Sequence, residues 1–303
     1  MSWLVYVPAL LPALLWPLAR VATRAGRPER AARALAAGAL VTAVSGAVCL
    51  VLVAATLADD LPAVQRYARL SVTQGEPLPE PVADPIAFVA GAVLAWIAAR
   101  IAVRMRRRRA VAGELHAAGR PAGGLVVADW DSPRAVAVPP GRGRRGHVLV
   151  TSGLLRLLDP HERAAVLAHE RAHLDRRHHR TDALAALATA VNPLLRPVES
   201  AIGLLVERSA DEDAARSVAD RRLVAQTIAK VALAAHAPVA SLGFDGSSTV
   251  RRVEALVRPA PSRLRRGGPT VCGSAAVSTL SLLVAAAAVV EFVELLRAWL
   301  PAV

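Results

Sequence analysis

Apolar and charged residues are segregated along this chain, so that four apolar stretches alternate with segments rich in arginine. A helix needs about 20 mostly apolar residues to cross the hydrocarbon core of a bilayer. The pattern therefore predicts four transmembrane helices. They cover residues 3–19, about 34–58, 85–103 and about 271–290, and the last can continue as a helix to residue 300.

The first apolar stretch has a second interpretation as a secretory signal peptide. Its basic residues Arg20, Arg24 and Arg27 follow the apolar run, whereas those of a signal peptide precede it. Its three prolines are tolerated in a membrane helix that has neighbouring helices. A membrane helix is therefore the preferred interpretation.

The arginine positions predict how the chain is oriented, because basic residues collect on the cytoplasmic side of a membrane. Residues 59–84 hold two arginines against five acidic residues. The dense basic clusters, at 20–33, 104–109 and 263–266, all fall on one side if the N-terminus is outside. We expect both termini outside and residues 104–268 in the cytoplasm. Richness in arginine and alanine suggests a high-GC bacterial genome, so the expected location is a bacterial plasma membrane.

The net charge of +13 on 303 residues is nearly all arginine, since Lys230 is the only lysine. Such a charge can indicate nucleic-acid binding, but the juxtamembrane cluster "RMRRRR" at 104–109 is more typical of lipid contact. No direct nucleic-acid binding is expected. Cys49 and Cys272 both lie in apolar runs, which argues against a disulfide and against a cysteine-ligated metal.

The segment between the third and fourth apolar stretches is long enough for one soluble domain. Short β-like runs predict a small sheet near residues 125–151, and helical patterns follow at 153–258. Asp159, Pro160 and Glu162 form a strong helix start. The predicted fold is a mainly α membrane protein with a cytoplasmic α+β domain. Its parts are a membrane region at 1–103, the soluble domain at 104–268, and a final transmembrane helix with a short tail at 269–303.

The helix that begins at Pro160 carries the strongest chemical signal, "LAHERAHLD" at 167–175. His169 and His173 stand four residues apart, on one helical face, where both imidazoles can bind one zinc ion. Glu170 can hold the water on that ion and accept its proton. Arg171 is the residue inside this motif for which the sequence offers no physical account.

A catalytic zinc needs a third protein ligand and an open position. His179 has the spacing of a third histidine ligand, but that geometry needs a glycine where Arg176 stands and a later methionine. The methionines are Met1 and Met105, so this option is rejected, and His178 meets the same geometric problem on an unbroken helix.

The other candidate for the third ligand is Glu207, in "ERSAD" on a second helix that begins near Pro197. Asp211 follows four residues later on the same face and can accept a hydrogen bond from a ligand histidine. Glu212 and Asp213 are the competing carboxylates, as ordinary solvated charges.

The stretch from "HVLVTSGLLRLLDPHERAAVLAHERAHLDRRHH" through "NPLL" to "ERSADEDAA" resembles the BlaR/MecR-type integral-membrane metallopeptidases, and is also similar to the HtpX-type and CAAX-prenyl membrane proteases. The resemblance covers residues 147–216, and "VRRVEALV" at 250–257 resembles their closing helix. Three predicted spans before the domain and one after it favour the BlaR/MecR type.

The resemblance implies a gluzincin fold and a zinc metalloendopeptidase. Carried over, the zinc ligands are His169, His173 and Glu207, the general base is Glu170, and Asp211 supports a ligand histidine. The antibiotic-sensing members continue into a penicillin-binding domain after their last span, whereas this sequence stops at Val303. Direct β-lactam sensing is therefore not expected.

The expected function is regulatory proteolysis of a cytoplasmic protein, with a winged-helix transcriptional repressor as the family-based guess for the substrate. One alternative is a protease for membrane-protein quality control. Another is a non-catalytic signalling or scaffold protein with a structural zinc, which a fourth ligand such as His178 or His236 would support. An intramembrane site is disfavoured by the charge density from 159 to 182.

Two mechanistic points stay open at this level. The run "HVLVTSG" at 147–153 is a candidate edge strand for pairing with extended substrate. The second donor to a developing oxyanion is His178, His179, His236 or an arginine.

Overall fold

A computed structural model describes residues 3–24, 26–57, 84–141, 143–235, 245–258 and 268–299. Within these ranges the chain is mostly helical, with one small sheet. The predicted loop at 59–83, His236 and the basic cluster at 263–266 lie outside the described residues.

Three described helices are long and apolar enough to cross a membrane. They are α3 (Pro28–Ala55), α4 (Asp84–Ala117) and α11 (Pro269–Trp299). The stretch predicted as the first span is shorter and irregular: α1 (Val7–Leu10) and α2 (Leu15–Ala22) alternate with 3₁₀ turns at Trp3–Tyr6 and Leu11–Leu14. Prolines 8 and 12 lie in these short elements, which fits their missing backbone donors. A predicted count of four spans is therefore not confirmed.

Helix α3 is the centre of the apolar helices, and small residues let its neighbours approach closely. A β-carbon on Gly46 would lie 3.3 Å from Pro8 O, and one on Gly38 would lie 3.4 Å from Ser274 Cβ. Close approach of this kind is how helices associate in lipid, where no hydrophobic drive acts between them. The start of the chain and α11 thus both pack along α3.

The other described elements are β1 (Leu125–Ala128), β2 (Ala135–Val138), β3 (His147–Thr151), α5 (Ser152–Leu157), α6 (Pro160–Asp175), α7 (His178–Val191), α8 (Arg196–Val218), α9 (Arg221–Ala235) and α10 (Asp245–Val257). The small sheet and the helix start at Pro160 are where the sequence predicted them. The predicted division at residue 103 falls inside α4, which continues for 14 residues beyond it.

Helices α7 and α8 form a hairpin that packs on the apolar helices. One continuous core joins Leu35 and Ala39 of α3 to Leu195, Ile202 and Leu205 of the hairpin. The carbonyls at the hairpin turn accept hydrogen bonds from outside it. Arg100 donates to Thr189 O and Ala190 O, and Trp16 donates to Leu194 O. These bonds satisfy groups that the end of a helix leaves unpaired.

The strand order of the sheet is β1-β3-β2, with β1 parallel and β2 antiparallel to β3. The prediction that "HVLVTSG" is an edge strand is therefore wrong, because His147–Thr151 is the central strand. All five of its residues are buried, as expected for a strand with neighbours on both sides. Among the described residues, β2 forms the edge that lies against α6.

Candidate active site

Helix α6 carries the histidine motif and begins at a complete N-terminal cap. Asp159 accepts hydrogen bonds from the backbone N–H groups of His161 and Glu162, and Glu162 accepts one from the Asp159 N–H. This reciprocal cap confirms the predicted helix start and typically contributes about 1 kcal/mol. It places His169, Glu170 and His173 in the middle and last turns of the helix.

Helix α8 brings the predicted third ligand to these histidines. His169 Nε2 lies 3.1 Å from His173 Nε2 and 3.5 Å from Glu207 Oε2. His173 Nε2 lies 3.6 Å from Glu207 Oε1. One donor atom from each of the three residues lies within 4.8 Å of the others, and neither His178 nor His179 belongs to this group.

These spacings fit a single metal ion. Donor atoms bound tetrahedrally at 2.0–2.1 Å from zinc lie roughly 3.3 Å apart. The separations of 3.1, 3.5 and 3.6 Å are close to this value, with one Glu207 oxygen nearest to each histidine, and a set with one atom from each residue lies within 4.8 Å. Two imidazoles and one carboxylate also form a donor set that zinc accepts. Three protein donors leave a fourth tetrahedral position for water or substrate.

The outer nitrogens of both histidines have partners that fix the ring orientation. His169 Nδ1 lies 3.0 Å from Asp211 Oδ1, and Asp211 is 1% exposed. His173 Nδ1 lies 3.2 Å from His178 Nδ1. His178 therefore lies on the side of the His173 ring opposite to the atoms that could bind a metal. This position supports His173 and does not provide a fourth ligand.

The competing carboxylates are engaged elsewhere. Glu212 accepts hydrogen bonds from Arg221, and Asp213 binds Arg176. Arg176 stands where a third histidine geometry would need glycine, and it also pairs with Glu29 at 3.1 Å. It thereby ties the end of α6 to the start of α3.

Arg252, on α10, completes the site, and the sequence reasoning missed it. Its guanidinium donates to both Asp211 oxygens at 2.8 and 2.7 Å, and Nη1 lies 3.0 Å from Glu207 Oε2. Such a two-pronged pairing fixes carboxylate geometry. The resemblance of "VRRVEALV" to a closing helix pointed to this segment, but two adjacent arginines gave no way to choose between them.

The charges of the site are strongly coupled. Burial alone would lower the pKa of His169, but hydrogen bonds with Asp211 and Glu207 raise it to about 10. Burial lowers the pKa of His173 to about 4. Burial opposes ionisation of Glu207, yet His169 and Arg252 hold its pKa well below the usual range. Without a metal, the two carboxylates are therefore balanced by Arg252 and by a proton on His169.

Glu170 stands apart from these ion pairs. Burial raises its pKa, partly offset by His169 and by a hydrogen bond with the backbone of Ala137 on β2. It lines a cavity of about 300 Å³ together with His169, Glu207 and Arg252. The apolar wall of this cavity comes from Leu154, Val166, Val224, Ile228 and Val231.

Arg171 lies on the opposite side of α6 and is exposed. Residues two apart on a helix point to nearly opposite faces. The positive charge of Arg171 therefore lies away from the three possible metal ligands, although Arg171 stands between the two histidines in the sequence. Of the residues considered as oxyanion donors, His178 faces His173 and His236 lies outside the described residues, whereas Arg252 lines the cavity.

Two histidines from one helix and a glutamate from a following helix, beside the half-buried Glu170, define a metallopeptidase-like centre. A comparison with known protein families supports the same class of protein. Residues 102–195 match the sequence model of peptidase family M48, which supports a metallopeptidase. The match includes His169, Glu170 and His173 but ends before Glu207. No curated protein and no solved structure matches the chain.

Asp211→Asn should weaken metal binding by roughly 10- to 100-fold, because a neutral amide no longer fixes His169 or balances Arg252. Asp213→Asn is the matched control on the same helix, since Asp213 binds Arg176 and Arg216 and does not contact the histidines. Metal affinity measured by competition with a chromogenic chelator checks this. Equal affinities for both variants would show that Asp211 does not support the ligand.

Proposed function

We propose that this chain is a membrane-embedded zinc-dependent endopeptidase in which His169, His173 and Glu207 hold the ion and Glu170 is the general base. The observation that carries the proposal is the approach of three possible metal-ligand atoms to within 4.8 Å of one another, next to the half-buried carboxylate of Glu170 in a cavity. The match to peptidase family M48 supports the same reaction class.

Zinc held there would lower the pKa of water towards about 7 and polarise the carbonyl of the scissile peptide bond. Glu170 would accept a proton from the attacking water and deliver it to the leaving amine. Burial raises the pKa of Glu170, which strengthens the carboxylate as the base that accepts this proton. Asp211 and His178 keep the two ligand rings in place.

Substrate is expected to bind as an extended peptide along β2. The edge of β2 lies against α6, and Ala135 of this strand lines the cavity beside Glu170. Backbone pairing with an edge strand gives affinity without sequence preference, while a pocket selects one side chain. The apolar wall formed by Val224, Ile228 and Val231 suits an aliphatic side chain next to the scissile bond.

The substrate class we favour is a cytoplasmic regulator, such as a winged-helix repressor. This choice rests on the resemblance to BlaR/MecR-type proteins and on the arginine distribution, which orients residues 104–268 towards the cytoplasm. The three long apolar helices are consistent with a membrane protein. Quality control of membrane proteins is the alternative protease role. The non-catalytic alternative needs a fourth protein ligand for a structural zinc. His178 does not provide it, because it contacts the side of His173 opposite to the possible metal ligands.

Sequencing of new protein N-termini in cells with the wild-type chain or with Glu170→Gln tests this role. We expect a few cleavage sites that need Glu170, located in cytoplasmic proteins and followed by an aliphatic residue. Many cleavage sites in damaged membrane proteins would indicate quality control. Glu170-dependent sites confined to proteins outside the cell would contradict the proposed orientation.

A further inference from the structure

A second, larger cavity of about 950 Å³ lies between α2, α8 and α10. Its size is in the range of ligand pockets, roughly 300–1,000 Å³. It is distinct from the cavity beside Glu170, and no residue lines both. The first cavity is largely aliphatic, whereas this one is dominated by arginine.

The second cavity carries a surplus of positive charge. Five arginines line it from three helical segments, against two glutamates: Arg20, Arg24, Arg208, Arg251 and Arg258 face Glu212 and Glu254. Glu212 is already bound by Arg221 through both carboxylate oxygens, at 2.5 and 3.0 Å. Arg208 also donates to Thr23 O. Guanidinium groups that line one cavity from separate elements can bind a phosphate through paired N–H donors.

One wall of this cavity is apolar and continues into the apolar helices. Trp16 and Ala19 of α2 line it together with Leu204. Leu18, in the same turn of α2, packs on the start of α11, where a β-carbon on Gly273 would lie 2.6 Å from the Leu18 side chain. Arg20 and Arg24 follow directly. The cavity therefore lies where α2 passes from apolar to basic, the position that a lipid headgroup occupies at a membrane surface.

We propose that this cavity binds the phosphate headgroup of an anionic phospholipid. The arginines contact the phosphodiester, and the Trp16 wall accommodates the glycerol and the first acyl carbons. A soluble phosphate could bind the arginines but has no apolar part to bury against the Trp16 wall. The ligand class that matches both halves of the cavity is thus a lipid.

The same two helices separate this cavity from the proposed zinc site. On α8, Glu207 lies beside His169, whereas the next residue, Arg208, lines the second cavity. On α10, Arg252 binds Glu207 and Asp211, while its neighbour Arg251 lines the cavity. A headgroup that draws Arg251 towards α2 also holds Arg252 against the carboxylates. Lipid binding is thereby expected to stabilise the catalytic arrangement, a consequence that rests on the proposed function.

The binding test uses the full chain in nanodiscs of phosphatidylcholine with a minor fraction of phosphatidylglycerol. Native mass spectrometry reports the phosphatidylglycerol retained by the protein. The variant is Arg24→Gln with Arg251→Gln, and the control is Arg120→Gln with Arg145→Gln, which removes the same charge from exposed positions outside both the cavity and the basic cluster at 104–109. At about 1 kcal/mol per arginine, the cavity variant should retain the lipid about 30-fold less well.

Hydrogen exchange of the wild-type chain gives a second measurement that needs no variant. Exchange in residues 245–258 should slow in nanodiscs that contain phosphatidylglycerol. It should not slow when inorganic phosphate is added to nanodiscs of phosphatidylcholine alone. Equal lipid retention by both variants, or slowing by inorganic phosphate without any effect of the lipid, would overturn the site.

Peptide cleavage is measured separately in the same nanodiscs. Binding without any effect on the cleavage rate would reject the coupling through α10 and leave the lipid site. Neither binding readout needs peptide cleavage, so loss of the proposed function and loss of the lipid site give different results.

Discussion

Glu170→Gln is expected to yield a folded protein that keeps its metal but cleaves peptide bonds about 10³-fold more slowly, within the range that loss of a general base costs. The amide has the shape of the carboxylate and cannot accept the proton from water. Burial of Glu170 in the cavity means that bulk solvent does not replace it easily. Metal content by mass spectrometry and turnover of a quenched peptide report the two properties independently.

The matched control for this variant is Glu114→Gln, at an exposed position on α4 far along the chain from the motif. It removes the same charge and should leave turnover unchanged. Wild-type turnover in Glu170→Gln with full metal content would sink the assignment of the base. Loss of metal in that variant would instead make Glu170 part of the metal-binding set.

Glu207→Ala is expected to lose the metal itself, with affinity reduced by more than the roughly 100-fold that loss of an outer hydrogen-bond partner can cost. The variant leaves two histidines as donors. It also leaves Arg252 without its 3.0 Å contact to Glu207, so that a positive charge faces the ion less well balanced. Metal-to-protein stoichiometry after dialysis against a weak chelator measures the effect.

Glu199→Ala is the control, because Glu199 is on the same helix and pairs with Arg104 at 3.4 Å, away from the histidines. It should retain metal at the wild-type ratio. Full occupancy in Glu207→Ala would show that the third ligand is another residue.

The local features of the site followed from the sequence. The spacing of His169 and His173 predicted one shared helical face, and the cap at Asp159 predicted where that helix begins. The four-residue step from Glu207 to Asp211 predicted a common face on the next helix. Each of these two pairs shares a helical face in the structure, because the helical period determines which side chains of one helix point the same way.

Long-range placement did not follow from the sequence. The strand at 147–151 was predicted at the edge, although its continuous apolar run would also have suited a central strand buried on both faces. Arg252 depends on how α10 packs against α8, which no local pattern specifies. The apolar pattern at 183–206 equally suited the inside of a soluble domain, so its packing against α3 was not foreseen.

That shared core makes α3 and the α7–α8 hairpin one folding unit. Ile202 and Leu205 are buried against α3 and precede Glu207 and Asp211 by only a few residues on the same helix. A helix whose inner face has nothing to bury against is marginal in water. The helix that carries Glu207 and Asp211 is therefore expected to reach its final arrangement only after residues 28–55, which are synthesised first, have taken their place. If α3 crosses a membrane, as its length and apolar composition allow, the proposed zinc site is completed only after insertion.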